Sequence, residues 1–581
     1  MLRHGMPSRP VSRLKHVAKP INYIIPALTS KQRLELAVLV ACWAAGTIFY
    51  WWWWLNPSHA ISTWPLIINS VIFFYVTGLP AYSFFFALRM MRINKAIDIQ
   101  SSTRVAMVVT KAPSEPWSMV KITLKKMLEQ DYQHDTWLAD EEPTQEVEEW
   151  CKQNGIFLSS RKENSNYQRD EWPRRKRCKE GNLAYFYDHY GYKDYDIVVQ
   201  LDADHYPEDG YLYAMIRPFS NPKVGYVAAP SICDRNSSES WTARGRLYFE
   251  AFLHGPLQMG YMNQWKPICI GSHYAVRTKA LKEIGGLGPE LAEDLSTSLL
   301  FISRGWEGAF ADQAICHGLG PATFEDCMIQ EFQWSKSITK ILLHHSGEWI
   351  SDLSWKLKIQ LIFIQWFYPI RGFLCIAALL FSSFALITAH PWTSIYYPRF
   401  LALNGMQVLL ALLPCIWLRK QGFMRPVNTK FMAWETWLFE ITRGPWVLLG
   451  VLSATADYFL KKESIFRVTQ KEGNAKILKT VFLSPYLIIT LISTSLAIWI
   501  PTAKEAQGYY LLLLLSATGF AVAAMAVVVL SKRETAIPWR RLKRPVSITL
   551  LTTVLVMAGW LSRQHEVMAT ISPENGHSQW R

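Results

Sequence analysis

The stretch Asp196-Ile197-Val198-Val199-Gln200-Leu201-Asp202-Ala203-Asp204-His205 decides the fold of this chain. Its first six residues form a short, largely apolar run that reads as a strand buried on both faces of a parallel sheet. The Asp202-Ala203-Asp204-His205 tetrad then falls at the carboxyl end of that strand, where open α/β sheets place their ligands. Two carboxylates at i and i+2 suit a hard divalent cation, which takes a few carboxylate oxygens and completes its shell with phosphate and water. Taken alone, Asp-x-Asp equally describes a strand-end turn.

The neighbouring sequence supports a sheet. Val105-Ala106-Met107-Val108-Val109-Thr110 is a second β-branched run, followed by a helical pattern through Val120, Leu124, Met127 and Leu128. A short run ends at Asp140, a helix is expected around Thr144 to Asn154, and Ile156-Phe157-Leu158 is a further strand. Alternating strands and helices predict an α/β, doubly wound parallel sheet with a nucleotide at its strand ends. Arg169 to Lys179 reads as a basic, solvated loop.

With 581 residues, 50% hydrophobic content and 26 Trp, the chain is too apolar for one soluble globule. Leu34–Leu55, Trp64–Leu88, Phe363–Ala389, Phe400–Leu418, Ile477–Ile500 and Tyr509–Leu530 each have the roughly 20 residues needed to cross a bilayer core. Val546–Leu561 is a shorter seventh candidate. Trp51 to Trp54 close the first span where an aromatic belt sits. The α/β domain is thus inserted in an α-helical polytopic membrane domain. Basic residues (Arg3, Arg9, Arg13, Lys15, Lys19, Lys31 and Arg33) precede the first span, and Arg89, Arg92 and Lys95 follow the second. The positive-inside rule therefore places the N-terminus and the central domain in the cytoplasm. The polar stretch before the first span and the length of that span do not read as a cleavable signal.

The net charge of +15 is explained by these juxtamembrane residues beside anionic lipid, so no nucleic-acid partner is invoked. Nine cysteines without a C-x-x-C spacing are read as reduced thiols. Lys336–His345, Ser354–Gln365 and Phe431–Thr442 mix aromatic, basic and apolar residues at helical spacing, as interfacial helices or the ends of spans do.

Several short motifs follow in order: Asp140; Lys179-Glu180-Gly181-Asn182; Asp202-Ala203-Asp204-His205; Glu293-Asp294; and Gln330-Glu331-Phe332-Gln333-Trp334. From about Val105 to Trp334 this order resembles the processive family 2 glycosyltransferases, the cellulose synthase catalytic subunits among them. Phe466-Arg467-Val468-Thr469-Gln470-Lys471 is similar to the gating loop of the same family.

The resemblance implies a GT-A-type domain that uses Mg2+ or Mn2+ on Asp202 and Asp204. Asp294 is expected to be the general base and Asp140 to hold the base or ribose of the nucleotide. Lys179, Asp202, His205 and Glu293 are placed around the donor. Trp334 is expected to stack on the acceptor sugar, Gln333 to stand near the leaving diphosphate, Gln330 to contact substrate, and Phe466, Val468, Thr469 and Lys471 to lie at the gate.

Two departures stand out. Gln333 replaces the family arginine, removing a cation for which Lys336, Lys471 or Arg174–Arg177 are candidate substitutes, and Asp140 is followed by Glu141-Glu142-Pro143. Ala292 stands where the family has Thr.

The expected partition is a basic tail at 1–33, two transmembrane helices at 34–90 and a glycosyltransferase domain at 91–335. Interfacial helices follow at 336–362, a channel region at 363–562 with its gating loop at 464–472, and a tail at 563–581. The expected activity is polymerisation of a cellulose-like β-glycan from a nucleotide sugar such as UDP-glucose, with export across the bacterial inner (plasma) membrane, accessory export subunits being possible partners. Transfer of a single sugar to a lipid carrier, or an inactive scaffold role in an export complex, are the alternatives.

Overall fold

The computed structural model describes residues 23–61, 63–176, 178–461, 478–501, 506–534 and 537–572. The chain opens with two long apolar helices, α1 (Ser30–Trp54) and α2 (Thr63–Ala87). Thr29 starts α1 through a capping box in which its hydroxyl accepts from the Gln32 N–H and the Gln32 side chain reaches back to the Thr29 N–H.

The central domain is built on a seven-stranded sheet. Its strands are β1 (Val105–Lys111), β2 (Asp135–Asp140), β3 (Phe157–Ser159), β4 (Ile197–Leu201), β5 (Val224–Ala228), β6 (His273–Arg277) and β7 (Glu307–Phe310). The spatial order is β7-β5-β6-β4-β1-β2-β3, and only β6 runs against its neighbours. Every residue of β1 and β4 is buried. Alternate residues feed two cores, Val108, Val198 and Tyr274 on one face and Val109, Val199 and Ala275 on the other. That double burial is why these strands read as continuous apolar runs rather than as alternating ones.

The helices of the domain that matter for the site are α3 (Trp117–Leu128), α4 (Lys179–Phe186), α5 (Trp241–Glu250) and α6 (Glu293–Ser303). After them come α7 (Phe324–His344), α8 (Trp355–Thr388), α9 (Tyr397–Lys420), α10 (Trp434–Leu460), α11 (Ser484–Trp499), α12 (Gly508–Glu534) and α13 (Trp539–Ser562).

Among the described residues six helices, α1, α2, α8, α9, α12 and α13, are long and apolar enough to cross a bilayer. The chain is a multi-pass membrane protein with an α/β domain between its second and third spans.

Ser354–Gln365 takes the second of its two readings, the end of a span: Ser354 is the N-cap and Trp355–Gln365 the opening of α8, which runs on to Thr388. One stretch differs from its sequence pattern. The apolar run at Ile477–Ile500 yields a helix only over Ser484–Trp499, after a 3-10 turn at Thr480–Phe482. Those 16 residues fall short of the roughly 20 needed for a perpendicular crossing.

Domain and spans are joined by ion pairs and close packing. Asp312, just past β7, is approached by Arg92 at 3.6 Å and Arg425 at 3.5 Å. Gly450 of α10 lies so near α7 that an added Cβ would stand 2.0 Å from the Ser335 hydroxyl.

Candidate active site

The site forms where β4 ends. The chain turns through Asp202 to His205, the His205 N–H donating to the Asp202 carbonyl at 3.1 Å. Antiparallel β6 pairs His273 with Leu201 and so brings the Ser272 carbonyl to the Asp202 N–H at 2.8 Å. The first turn of α4 adds Lys179, and that of α6 adds Glu293 and Asp294.

Asp202, Asp204 and His205 offer ligand atoms that all lie within 4.8 Å of one another, the one such group among the described residues. Asp204 is buried, and its Oδ2 accepts from the Leu319 N–H at 3.1 Å while Oδ1 faces His205 Nδ1 at 3.2 Å. Burial works against a charged His205, but the adjoining Asp204 carboxylate outweighs it and lifts the pKa to about 10. The ring is therefore a cation at neutral pH, held against Asp204. Asp202 stays more open, its side chain 31% exposed. Two carboxylate oxygens, one still open, fit a hard divalent cation with room for water or phosphate oxygens. Asp202 and Asp204 would hold it, and His205 steadies Asp204.

Lys179 Nζ stands 2.7 Å from Asp202 Oδ1 and 3.8 Å from Glu293 Oε1. Burial disfavours its charge, yet the Asp202 and Glu293 carboxylates raise its pKa overall. Burial likewise pushes Glu293 and Asp294 upward, each as a carboxyl beside other carboxyls, with Lys179 opposing. Asp294 lies inside the first turn of α6, whose N-cap is Ala292. Its Oδ1 accepts from the Leu295 N–H at 2.7 Å and its Oδ2 from the Gly271 N–H.

Asp140 ends β2 in register with Lys111 of β1, fully buried, with the Lys111 ammonium 3.1 Å from Oδ2. Its Oδ1 also accepts from the Glu142 N–H at 3.0 Å, so it is at once a turn residue and half of an ion pair. Glu141 pairs with Arg161, a fully buried guanidinium that also donates to the carbonyls of Tyr167, Arg175 and Cys178.

The loop read as solvated is instead tied down. Arg174 pairs with Asp188 at 2.8 Å, Arg175 approaches Glu180 at 3.5 Å, and the Trp172 indole N–H donates to the Leu287 carbonyl. Acidic partners downstream, invisible in a local reading, draw it in. Gly181 packs under this loop, where a Cβ would stand 2.0 Å from the Arg175 carbonyl oxygen.

Gln330, Gln333 and Trp334 share α7. Arg246 of α5 donates from Nη1 to Gln330 Oε1 at 3.0 Å and lies 4.2 Å over the Trp334 ring. Among the described cations suggested as replacements for the family arginine, Lys336 pairs with Asp457 at 2.8 Å, Lys176 with Asp170, and Arg174 and Arg175 are bound as described, while Arg177 lies outside the described residues. Phe466, Val468, Thr469 and Lys471 lie outside the described residues. Lys111, Arg161 and Arg246 were missed by the sequence reading. Lys111 directly follows a strand, a detectable signal, whereas nothing local marks Arg161 or Arg246.

A family profile described as Glycosyl transferase family group 2 matches residues 197–418. Cellulose synthase-like protein B2 of Arabidopsis thaliana is 24% identical over 220 residues, 35% of this chain and 27% of that relative. The match thus spans about a quarter of the relative's length. Among solved structures, the mannosyltransferase PcManGT from Pyrobaculum calidifontis with GDP-Man and Mn2+ is 17% identical, covering 73% of this chain and 99% of its own, at TM-score 0.43. Glucosyl-3-phosphoglycerate synthase from Mycobacterium tuberculosis, with Mn2+, UDP and glucosyl-3-phosphoglycerate, is 14% identical over 38% of this chain and 73% of its own, at TM-score 0.25. A seven-stranded sheet with one reversed strand and an acidic cluster at the end of β4 thus belong to a chain whose residues 197–418 are similar to the family 2 glycosyltransferases, with a further likeness to a cellulose synthase-like protein.

Proposed function

We propose that the chain is a membrane-embedded, inverting, processive glycosyltransferase that polymerises a cellulose-like β-glycan from a nucleotide sugar such as UDP-glucose and moves it across the membrane. The observation that carries this reading is Lys179, whose ammonium joins Asp202 at the end of β4 to Glu293 at the start of α6. Groups suited to a departing diphosphate and groups suited to accepting a proton thereby line one pocket.

Asp202 and Asp204 would hold a Mg2+ or Mn2+ ion, which when bound neutralises charge on the leaving diphosphate. Lys179 adds a fixed positive charge beside it. Asp294 takes the proton from the acceptor hydroxyl, and its raised pKa makes it a stronger base than a surface aspartate. The acceptor oxygen bonds to the anomeric carbon as the bond to the diphosphate oxygen breaks on the opposite face, so the configuration inverts. Trp334 offers a flat indole for a pyranose ring of the growing chain.

A path for the product is supported by a cavity of about 360 Å³ among α8, α10 and α12, mostly apolar in its lining (Leu374, Cys375, Ile441 and Phe520) with Arg371 and Glu440 as its charged members. Arg371 and Glu440 pair across it. Ionisable side chains are costly inside a membrane and mark routes taken by polar substrates. The basic flanks support a catalytic domain on the cytoplasmic side, and the membrane in this reading is the inner (plasma) membrane.

Membranes containing the chain, given UDP- and GDP-sugars with Mg2+ or Mn2+, are expected to make a long polymer cut by β-glycan-specific hydrolases. A short lipid-linked product would overturn processivity. Folded chain that consumes no nucleotide sugar would overturn the activity.

A further inference from the structure

Arg246 is a charged side chain for which the fold alone gives no sufficient reason. It is 12% exposed, seated on α5 with its Nε donating to Glu250 at 3.1 Å and its Nη1 to Gln330 at 3.0 Å. The guanidinium plane covers the Trp334 indole at 4.2 Å. Nη2 has no hydrogen-bond partner among the described residues, although a guanidinium carries five N–H donors in a fork matched to phosphate.

Position adds to this. Gly320 is pressed so close to α5 that a Cβ would lie 2.7 Å from Ala243 Cβ, and two residues earlier Gly318 faces the His205 ring. Cys233, whose carbonyl oxygen also lies against Gly320, has its thiol 3.7 Å from His205 Nε2. Arg246 therefore sits on the element wedged between the Asp202–Asp204–His205 cluster and the helix carrying Trp334. Gln330, Gln333 and Trp334 are uncharged, so the cations at this end of α7 come from other elements: Arg246 from α5, and Arg443 of α10, which is paired with Glu331.

We propose that Arg246 is a substrate-binding residue whose open guanidinium edge takes the diphosphate of the nucleotide, while its face keeps Trp334 in place. The assignment rests on the nucleotide-sugar reading above. In that reaction the acceptor is a neutral hydroxyl, and the nucleoside diphosphate is the anion that must be held as the glycosidic bond forms. A planar fork already stacked on an indole and anchored by Glu250 loses little freedom in binding it.

The test is equilibrium binding of UDP and GDP, compared with UMP and GMP, to the full chain in detergent with Mn2+. For Arg246→Gln, affinity for the diphosphate that the wild type binds should fall about tenfold, as for one lost charge-assisted contact, while monophosphate affinity changes far less. Adding Gln333→Arg to Arg246→Gln, which returns a cation from α7, should restore most of the loss. Equal loss of diphosphate and monophosphate binding, or none, overturns the assignment, as does failure of Gln333→Arg to restore. If Arg246→Gln does not fold, Arg246→Lys, which keeps the charge and loses the fork, must show the same selective loss in smaller degree. Wild-type chain that binds the diphosphate but makes no polymer would sink the polymerase reading and leave Arg246 assigned. Wild-type chain that binds neither diphosphate would end both.

Discussion

The Lys179 ammonium reaches to within 2.7 Å of Asp202 Oδ1, tying the start of α4 to the end of β4. Replacing it by methionine keeps the stem and removes the charge. Lys179→Met should lower kcat/KM by about a hundredfold, the scale of one preorganised charge lost at a reacting centre. Sugar incorporation by membranes measures this, and Lys179→Arg should keep a larger share of the activity.

Chelation offers a second check. EDTA should abolish transfer, and Mg2+ or Mn2+ should restore it in the wild type. Asp204→Asn loses a ligand and the charge that holds His205, so added metal should leave it inactive by the same assay.

The pH profile tests Asp294. A general base works only when deprotonated, so activity should fall as pH drops through its pKa. Burial has raised that pKa, so the acidic limb should lie above the ordinary aspartate range near 4. Asp294→Asn should lose about a hundredfold or more in kcat while nucleotide binding is kept, read by rate and by equilibrium titration.

Gly318 is a steric prediction. A Cβ there would stand 2.0 Å from the His205 ring, which is backed by Asp204 and Cys233. Gly318→Ala should push the ring aside and cost about 1–3 kcal/mol, as overpacking does, with weaker metal activation. Thermal unfolding and the Mn2+ concentration for half-maximal activity measure the two effects.

A buried pair joins α7 to α10, with Arg443 Nη2 2.6 Å from Glu331 and both side chains at most 3% exposed. Glu331→Ala leaves the guanidinium with only its longer contact to Glu440 at 3.4 Å and should cost about 3 kcal/mol. The double variant Glu331→Met, Arg443→Met should cost much less than the sum of the single changes. Denaturation of the four proteins in matched detergent decides it.

Much of this architecture was legible in the chain. β1 and β4 announce themselves because both faces are buried and their residues are mostly apolar and β-branched, with Gln200 the one polar residue inside β4. Asp202 and Asp204 are readable because a strand end is a defined place. Segment ends were harder: Ser354–Gln365 continues into α8, which even runs through Pro369, so neither a change in amphipathic character nor a proline marks where the span begins. Arg246, Arg161 and the Leu319 N–H lie beyond any local pattern, since each meets its partner through folding across long separations. The pairing that draws in Arg174 and Arg175 is of the same kind, and without Asp188 and Glu180 in view the loop reads as bare charge.

α5 has a practical consequence. Two residues before Arg246, Arg244 reaches the other way, to Glu435 of α10 at 2.9 Å and Glu534 of α12 at 2.8 Å. Gly245 between them abuts the Glu435 carbonyl, where a Cβ would lie 2.6 Å from the oxygen. A fragment cut at the domain's edges would strip both counter-ions from Arg244 and lay bare the surface against which Gly245 is fitted. The sugar-transferring half is thus no detachable cartridge: its biochemistry belongs in detergent or lipid, with every span still attached.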